Sequence, residues 1–220
     1  MSKKAEKEQA LSLRKRGFSY KEIAKYTGVS LSTVSLWLKN ESWSKDVTAQ
    51  NQKRAARDNA KRISLLNKAR GNQFKRLYDE AERSAVTEYK HYKHNSLFIA
   101  GVTLYLSEGD MHDTRNIRLS NGNIDIHRIF IGFLTEFLGV PREKVRFWLL
   151  LYPTHDPERV SRVWAKKLGL PLTQFHKYQI VESRNAKRLL QYGVGNTIIG
   201  SAVLKRKLTT WVEIALKELK

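Results

Sequence analysis

The spacing of apolar residues divides the chain into an N-terminal helical part and a C-terminal part that mixes helices with strands. Residues 5–40 have the three- to four-residue spacing of short helices, and Gly17 and Gly28 divide them into three. Residues 46–92 lack proline and are rich in Lys, Arg, Ala, Glu and Asn, which predicts one long polar helix. Further helices are predicted at 96–107, 124–138, 156–168 and 201–218, and strands at 114–120, 144–152, 175–182 and 190–199.

Residues 20–38 (YKEIAKYTGVSLSTVSLWL) predict two short helices that cross closely at a tight turn. The small side chain of Ala24 permits a close crossing, and Gly28, four residues later, allows the positive φ of a turn. Val34 follows six residues after Gly28, where it can pack against Ile23. This spacing resembles the helix-turn-helix of resolvases and transposase-associated proteins, which implies DNA binding. The alternative is an ordinary helical hairpin with a solvated charged face.

Ser19 and Ser30 stand where N-caps of these two helices are expected, which supports the same interpretation. The outward face of the second helix would then meet base edges and phosphates in a major groove, while two lysines of the first helix flank the backbone. The candidate residues are Ser30, Ser32, Thr33, Leu36 and Lys39 on the second helix, and Lys21 and Lys25 on the first.

The charge of the chain points to a polyanionic partner. Lys and Arg number 41 against 21 Asp and Glu, a net charge of +20. Membrane binding would require a basic amphipathic helix with a lipid-facing stripe, or about 20 consecutive apolar residues, and the sequence indicates neither. There is no cysteine for a disulfide or a metal site, and no signal peptide is apparent. We therefore expect a cytoplasmic protein whose partner is double-stranded DNA.

The predicted helix within residues 97–110 (LFIAGVTLYLSEGD) ends in acidic residues. Glu108 precedes Gly109, and Asp110 and Asp113 follow. Carboxylates at a helix C-terminus oppose its dipole by about 0.3–1 kcal/mol each. A divalent metal ion with oxygen ligands, a nearby Lys or Arg, or simple solvent exposure could offset this cost.

Residues 104–109 (LYLSEG) resemble the end of the LAGLIDADG motif of homing endonucleases, with Glu108 at the acidic position. Thr103 departs from the family, which prefers glycine there. The order of elements over 95–218 is compatible with the family's α-β-β-α-β-β-α core plus an inserted helix. The resemblance implies that two motif helices lie side by side and that each brings one carboxylate to a metal ion above the scissile phosphate. One motif per chain then implies a homodimer through the 97–107 helix.

The same resemblance implies a set of catalytic groups and a cofactor. Glu108 and Asp110 are the candidate ligands of Mg²⁺ or another divalent cation, and Lys177 is the candidate basic residue that assists catalysis. The histidine spacings match no zinc motif, and neither a nucleophile elbow nor a Walker loop occurs.

Alternation within two predicted strands favours a sheet with one polar face. Residues 144–152 place basic and aromatic side chains opposite an apolar set, and residues 116–120 do the same. Such a face could follow DNA, or it could be solvated in a very basic protein. The candidate DNA contacts in this part are Asn116, Arg118, Lys144, Arg146, Trp148 and Lys187.

The sequence therefore predicts an α+β protein with three parts. These are a helix-turn-helix domain (1–43), a basic helical linker (44–94) and a LAGLIDADG-like domain (95–220). The leading hypothesis is a homodimeric, metal-dependent, site-specific DNA endonuclease. One alternative is a non-catalytic transcriptional regulator similar to WhiA, in which the same fold is retained without cleavage. Another is a recombination accessory or structural protein that uses the long basic helix.

Overall fold

The computed structural model describes residues 3–182 and 190–219. The chain forms two compact units, Met1–Asn72 and Gln73–Lys220. Their boundary lies within one helix, α4 (Ser42–Tyr92), whereas the sequence pattern predicts boundaries after residues 43 and 94. The boundary falls inside α4 because the first turn of this helix is buried in the first unit at Ser44, whereas its last turns are buried in the second unit. None of the helices in the described ranges is both long and apolar enough to cross a membrane.

The first unit contains the three predicted helices, α1 (Lys3–Lys15), α2 (Tyr20–Thr27) and α3 (Leu31–Leu38), followed by the start of α4. Ser19 caps α2 in a capping box with Glu22, and Gly28 ends that helix with a φ of 71°. Ser30 caps α3, its side chain accepting a hydrogen bond from the Thr33 amide. Each predicted N-cap and the predicted turn glycine are therefore confirmed.

The core of the first unit is small and apolar. Its fully buried members include Ile23 and Val34, the pair expected to hold the two helices together. Ala24 is half-buried against this cluster, as its predicted role at the crossing requires. The buried set is Ala10, Leu13, Ile23, Val34 and Leu38. The predicted helix-turn-helix packing is thus present.

The second unit is α+β, mostly helical with a small mixed sheet. After the end of α4 its elements are α5 (Ser96–Glu108), β1 (Asn116–Asn121), α6 (Ile124–Phe137), β2 (Arg146–Leu151), α7 (Pro157–Leu168), β3 (Gln179–Ile180), β4 (Val194–Gly200) and α8 (Ala202–Glu218). Each predicted helix and strand of this part is found, with ends shifted by a few residues. The exception in length is β3, which has two residues instead of the predicted eight.

A one-residue shift in register explains the short β3. Phe175 bridges Phe147 of β2, but Gln179 pairs with Leu150, so four residues on one strand face three on the other. The extra residue interrupts the ladder as a bulge does. Regular pairing resumes only at the end of β2.

The order of elements in the second unit is α-β-α-β-α-β-β-α, as predicted from the sequence. Compared with the α-β-β-α-β-β-α core of the family, it has α7 as an additional helix and one strand, not two, between α5 and α6. Between α5 and β1, the chain makes a single antiparallel bridge, Gly109 with Leu119, where the core order of the family has a full strand. The sheet order is β1-β4-β2-β3, antiparallel except between β2 and β3. The order of elements by itself therefore does not confirm a LAGLIDADG fold.

Helices cover one face of the sheet and form the main core. The predicted alternation is confirmed: Ile117 and Leu119 of β1, like Phe147 and Leu149 of β2, are at most 1% exposed. α5 crosses α6 at Gly101, where a Cβ atom would lie only 2.1 Å from Cγ of Phe133.

Candidate functional site

The outward face of α3 carries the residues predicted to read DNA. Ser30, Ser32 and Lys39 are exposed, Thr33 is half-buried, and Leu36 is 61% exposed. The Ser30 hydroxyl lies 2.9 Å from that of Ser32 and 2.8 Å from that of Thr33. Three hydroxyl groups thus gather at the N-terminus of α3, where both donors and acceptors can meet base edges or phosphates.

The two candidate backbone-binding lysines lie on the adjacent helix. Lys21 and Lys25 are exposed on α2. A groove between α2 and α3 is lined by Tyr20, Lys21, Leu31, Ser32 and Ser35, among others. The structure therefore brings a lysine of α2 and a hydroxyl of α3 to one surface, as the docking of a helix-turn-helix requires.

A buried arginine fixes the start of α4 to this domain. Arg14 is 2% exposed. Its Nε donates to Oγ of Ser44 at 3.0 Å, and its Nη2 donates to the Ser44 carbonyl at 2.7 Å. Its Nη1 donates to the Phe18 carbonyl at 2.9 Å, and the guanidinium lies over the ring of Tyr20. The sequence analysis missed this role, because nothing in the pattern of α1 distinguishes Arg14 from the exposed cations that follow it.

The second candidate site is the acidic end of α5. Glu108 is the last residue of that helix and is exposed. Its carboxylate makes no hydrogen bond or ion pair with the described part of the chain. Asp110 differs, because its Oδ1 accepts hydrogen bonds from the amides of His112 and Asp113. Its Oδ2 lies 4.0 Å from Arg118. Of these two candidate metal ligands, only Glu108 has a free carboxylate.

Asp113 is held even more firmly in the loop before β1. Its carboxylate accepts hydrogen bonds from the Asn116 side chain and from the amides of Arg115 and Asn116. These bonds, and the charge of Arg118 to a smaller extent, lower the pKa of Asp113 to about 2. The side-chain amide of Asn116, a predicted DNA contact, therefore donates its hydrogen bond within this loop and helps to hold the loop in place.

A buried lysine that the sequence analysis missed supports the same loop. Lys205 of α8 is 4% exposed. Its Nζ donates to the Asp110 carbonyl at 2.6 Å and to the hydroxyl of Tyr105, which also donates to that carbonyl. Burial lowers the pKa of Lys205 and raises the pKa of Tyr105. Two donors thus fix the backbone two residues after Glu108. The pattern of α8 gives no signal for a lysine on its buried side.

The structure does not bring Lys177 to the acidic end of α5. Lys177 is exposed and precedes β3, at one edge of the sheet, whereas Gly109 pairs with β1 at the other edge. Four strands at about 4.8 Å spacing put these edges about 14 Å apart. Among the described residues, no three His, Asp or Glu side chains come together in a group that could hold a metal ion.

The sheet face opposite the core carries the remaining candidates. Arg118 and Arg146 both pair with Ile198, so the two cations flank it on one face. In the next row Trp148 and Ser120 flank Asn196. The Nε of Arg118 and the Nδ2 of Asn196 are buried and have no hydrogen-bond partner among the described residues. Lys144 lies exposed in a 3-10 turn before β2, and Lys187 lies outside the described residues.

Comparison with known proteins supports the first of these sites. A family model described as a Homeodomain-like domain matches residues 1–42. These residues include α1, α2 and α3. No curated protein and no solved structure matches the chain. The predicted N-terminal helix-turn-helix is therefore confirmed by both its packing and its family match, and it indicates DNA binding.

Proposed function

We propose that the protein is a homodimeric, metal-dependent, site-specific endonuclease that acts on double-stranded DNA, with a LAGLIDADG-like second part and an N-terminal helix-turn-helix that lengthens the recognised site. The observation that carries the proposal is the carboxylate of Glu108. It is exposed, makes no hydrogen bond or ion pair with the described residues, and lies at the C-terminus of a helix, where the dipole disfavours a negative charge. A carboxylate in that position gains most from a bound cation.

Binding of DNA is supported by independent features of each unit. The helix-turn-helix presents hydroxyl groups and lysines, and the chain has a net charge of +20. In the second unit, Arg118 and Arg146 lie on the sheet face opposite the main core. Cations on such a face attract phosphate oxygens, and Trp148 on the same face offers an aromatic surface.

The residues at the end of α5 fit a magnesium ion only when two copies combine. Mg²⁺ prefers oxygen ligands, and Glu108 offers a free carboxylate. Asp110, the other candidate ligand, already uses Oδ1 for two amides and Oδ2 near Arg118. Because each chain offers one free carboxylate at the end of α5, a site with two such carboxylates needs a second chain. When bound, the metal ion would neutralise phosphate charge and assist a water nucleophile.

The outer face of α5 is suited to the second copy. Ile99 and Leu106 of α5 are 39% and 38% exposed, and Ile129 of α6, which lies beside Ile99, is 39% exposed. With the small Ala100 and Thr103, Ile99 and Ile129 line a shallow groove. Small residues permit close approach of a second helix, and covering the apolar residues is favourable by about 25 cal/mol per Å². The proposed dimer would bring two α5 ends, and hence two Glu108 carboxylates, to its axis.

The chain's own residues would position these groups. Lys205 and Tyr105 hold the Asp110 carbonyl and thereby limit the motion of the backbone that follows Glu108. Arg118 lies 4.0 Å from both Asp110 and Asp113, so it neutralises carboxylates that would otherwise repel DNA. Lys177 is distant from Glu108 of its own chain, so any help that it gives to catalysis does not involve contact with that carboxylate.

A non-catalytic DNA-binding regulator is the second candidate. It is favoured by the engagement of Asp110 and Asp113 in loop hydrogen bonds, which leaves one free carboxylate at the end of α5. A regulator needs the DNA-binding surfaces but no metal ion. In that case Glu108 is an exposed helix-end residue without a catalytic role.

Cleavage of selected DNA distinguishes the two candidates. Duplexes bound by the wild-type protein are selected from a random-sequence library and incubated with the protein in Mg²⁺ or in EDTA. Glu108→Gln keeps the shape of the side chain but removes its charge. Glu136→Gln is the matched control, since Glu136 is also exposed in the last turn of a helix. We expect Glu108→Gln to lower the cleavage rate about 10³-fold, the equivalent of several kcal/mol of metal-assisted stabilisation, and Glu136→Gln to leave it unchanged.

Two results would contradict the proposal in different ways. Equal cleavage by the wild type and Glu108→Gln would remove Glu108 from the active site. Binding without any Mg²⁺-dependent strand scission by the wild type would establish the regulator.

A further inference from the structure

The part of α4 that lies in the first unit is unusually exposed and basic. Every residue from 52 to 72 is exposed. This stretch contains seven Lys or Arg residues and one acidic residue, Asp58. A helix so exposed gains little from core packing, so its charges need an explanation of their own.

Four of these cations form a single stripe along the helix. At about 100° per residue, Arg54, Arg57, Lys61 and Lys68 fall within a sector of about 60°. We call these four residues the cation stripe. It extends from Arg54 to Lys68, 14 residue steps or about 21 Å at 1.5 Å per step. The cations Lys45, Arg62 and Arg70 lie about 100° or more from the direction of Lys61.

A solvated helix surface usually offsets its cations with acids one turn away, but the single acid here, Asp58, lies one turn from Arg54 and Lys61 and leaves Arg57 and Lys68 without one. Arg57 and Lys61, spaced i,i+4, repel each other at a cost of a few tenths of a kcal/mol. Neither of them nor Lys68 makes an ion pair with the described residues. A polyanion that covers the stripe would turn this repulsion into attraction, and counterion release would add to the gain.

The cation stripe begins beside the helix-turn-helix. Arg54 lies close enough to α2 for its charge to help lower the pKa of Glu22, although the hydrogen bonds from Ser19 are the larger cause. Lys21 and Lys25, the candidate backbone contacts, lie on the same helix. Because Arg14 fixes the first turn of α4, the stripe starts at a defined place relative to the DNA-reading helices.

We propose that the cation stripe binds the phosphate backbone of duplex DNA that flanks the site read by the helix-turn-helix. The proposal rests on DNA binding by the helix-turn-helix, but not on cleavage or on Glu108. Its length of about 21 Å corresponds to about six base pairs at 3.4 Å each. DNA is the fitting occupant because the duplex is already bound next to the start of the stripe. The contact adds affinity without adding sequence preference.

Two matched triple variants test this inference. The stripe variant is Arg57→Gln/Lys61→Gln/Lys68→Gln. The control variant is Lys45→Gln/Arg62→Gln/Arg70→Gln, whose three exposed positions lie off the stripe. Both variants lose three positive charges, and both keep a good helix former at each position. Circular dichroism is used to check that each variant is as helical as the wild type.

Fluorescence anisotropy with a labelled duplex measures binding at several salt concentrations. One probe carries a selected site with 20 flanking base pairs on each side, and a second probe is trimmed to the site alone. The slope of log K against log salt is negative. With the long probe, we expect its magnitude to be smaller by about 2.7 for the stripe variant, at about 0.9 per lost phosphate contact. The control variant should retain the wild-type slope, and the stripe variant should match the wild type on the trimmed probe.

Equal slopes for the two variants on the long probe would overturn the inference, because the net charge alone would then explain binding. A loss by the stripe variant on phosphatidylserine vesicles and not on DNA would also overturn it and would assign the stripe to a membrane. A wild-type protein that bound neither probe would refute DNA binding by the helix-turn-helix itself, which is a different failure.

Discussion

The crossing of α5 and α6 gives the sharpest test of how the fold positions Glu108. A Cβ atom at Gly101 would lie 2.1 Å from Cγ of Phe133 and 2.7 Å from its Cβ. Phe133 cannot retreat, because it is fully buried and packs against Phe98 and Trp211. Overpacking of this kind costs about 1–3 kcal/mol, and alanine returns about 0.5–1 kcal/mol of helix propensity. We expect Gly101→Ala to lower the free energy of unfolding by about 1–2 kcal/mol.

Gly132 provides the matched control on the facing helix. A Cβ atom there would lie 3.9 Å from its nearest neighbour, a methyl group of Leu97. Gly132→Ala should therefore raise the free energy of unfolding by about 0.5–1 kcal/mol. Urea unfolding followed by tryptophan fluorescence measures both variants. If Gly101→Ala were as stable as Gly132→Ala, the close crossing of α5 and α6 would be wrong.

Two further predictions concern buried ionisation and association. Burial lowers the pKa of His127 to about 4, from about 6.5 in the unfolded chain, so its contribution of roughly 3 kcal/mol is complete above pH 6.5 and is lost as the pH falls towards 4. Urea midpoints across this range should fall more steeply for the wild type than for His127→Gln, and parallel curves would refute the assignment. Ala100→Phe should hold two α5 helices apart and lower the dimer fraction in sedimentation equilibrium, whereas Ala60→Phe on exposed α4 should not. A wild type that stays monomeric on DNA would refute the dimer.

Local signals in the sequence determined most of the secondary structure. Ser19, Ser30 and Gly28 specify the ends of two helices through their own hydrogen bonds and φ angles, which involve neighbours within a few residues. The alternation in β2 fixes which side chains enter the core, because side chains on a strand point to opposite faces. These features depend on short-range geometry, so the helix-turn-helix and the polar face of the sheet could be predicted.

Contacts between residues distant in the chain could not be predicted in this way. Arg14 reaches Ser44 across 30 residues, and Lys205 reaches Asp110 across 95. Whether a cation is exposed or buried under a loop depends on which element packs above it, and no periodicity encodes that. The same holds for Lys177, which the sheet order places at the edge opposite Gly109.

The acidic end of α5 shows most clearly which features follow from the sequence and which follow only from the tertiary structure. The sequence by itself determined that Glu108, Asp110 and Asp113 follow one another at a helix terminus, and it left a metal ion, a nearby cation or solvent exposure open as the means of offsetting their charge. Only the tertiary structure decided which groups meet each of these carboxylates. β1 runs back beside this loop, so Arg118 comes near both aspartates, while the loop amides and Asn116 complete their hydrogen bonds. Glu108 ends α5, is exposed and makes no hydrogen bond or ion pair with the described residues, so it is the one of these three carboxylates that stays free.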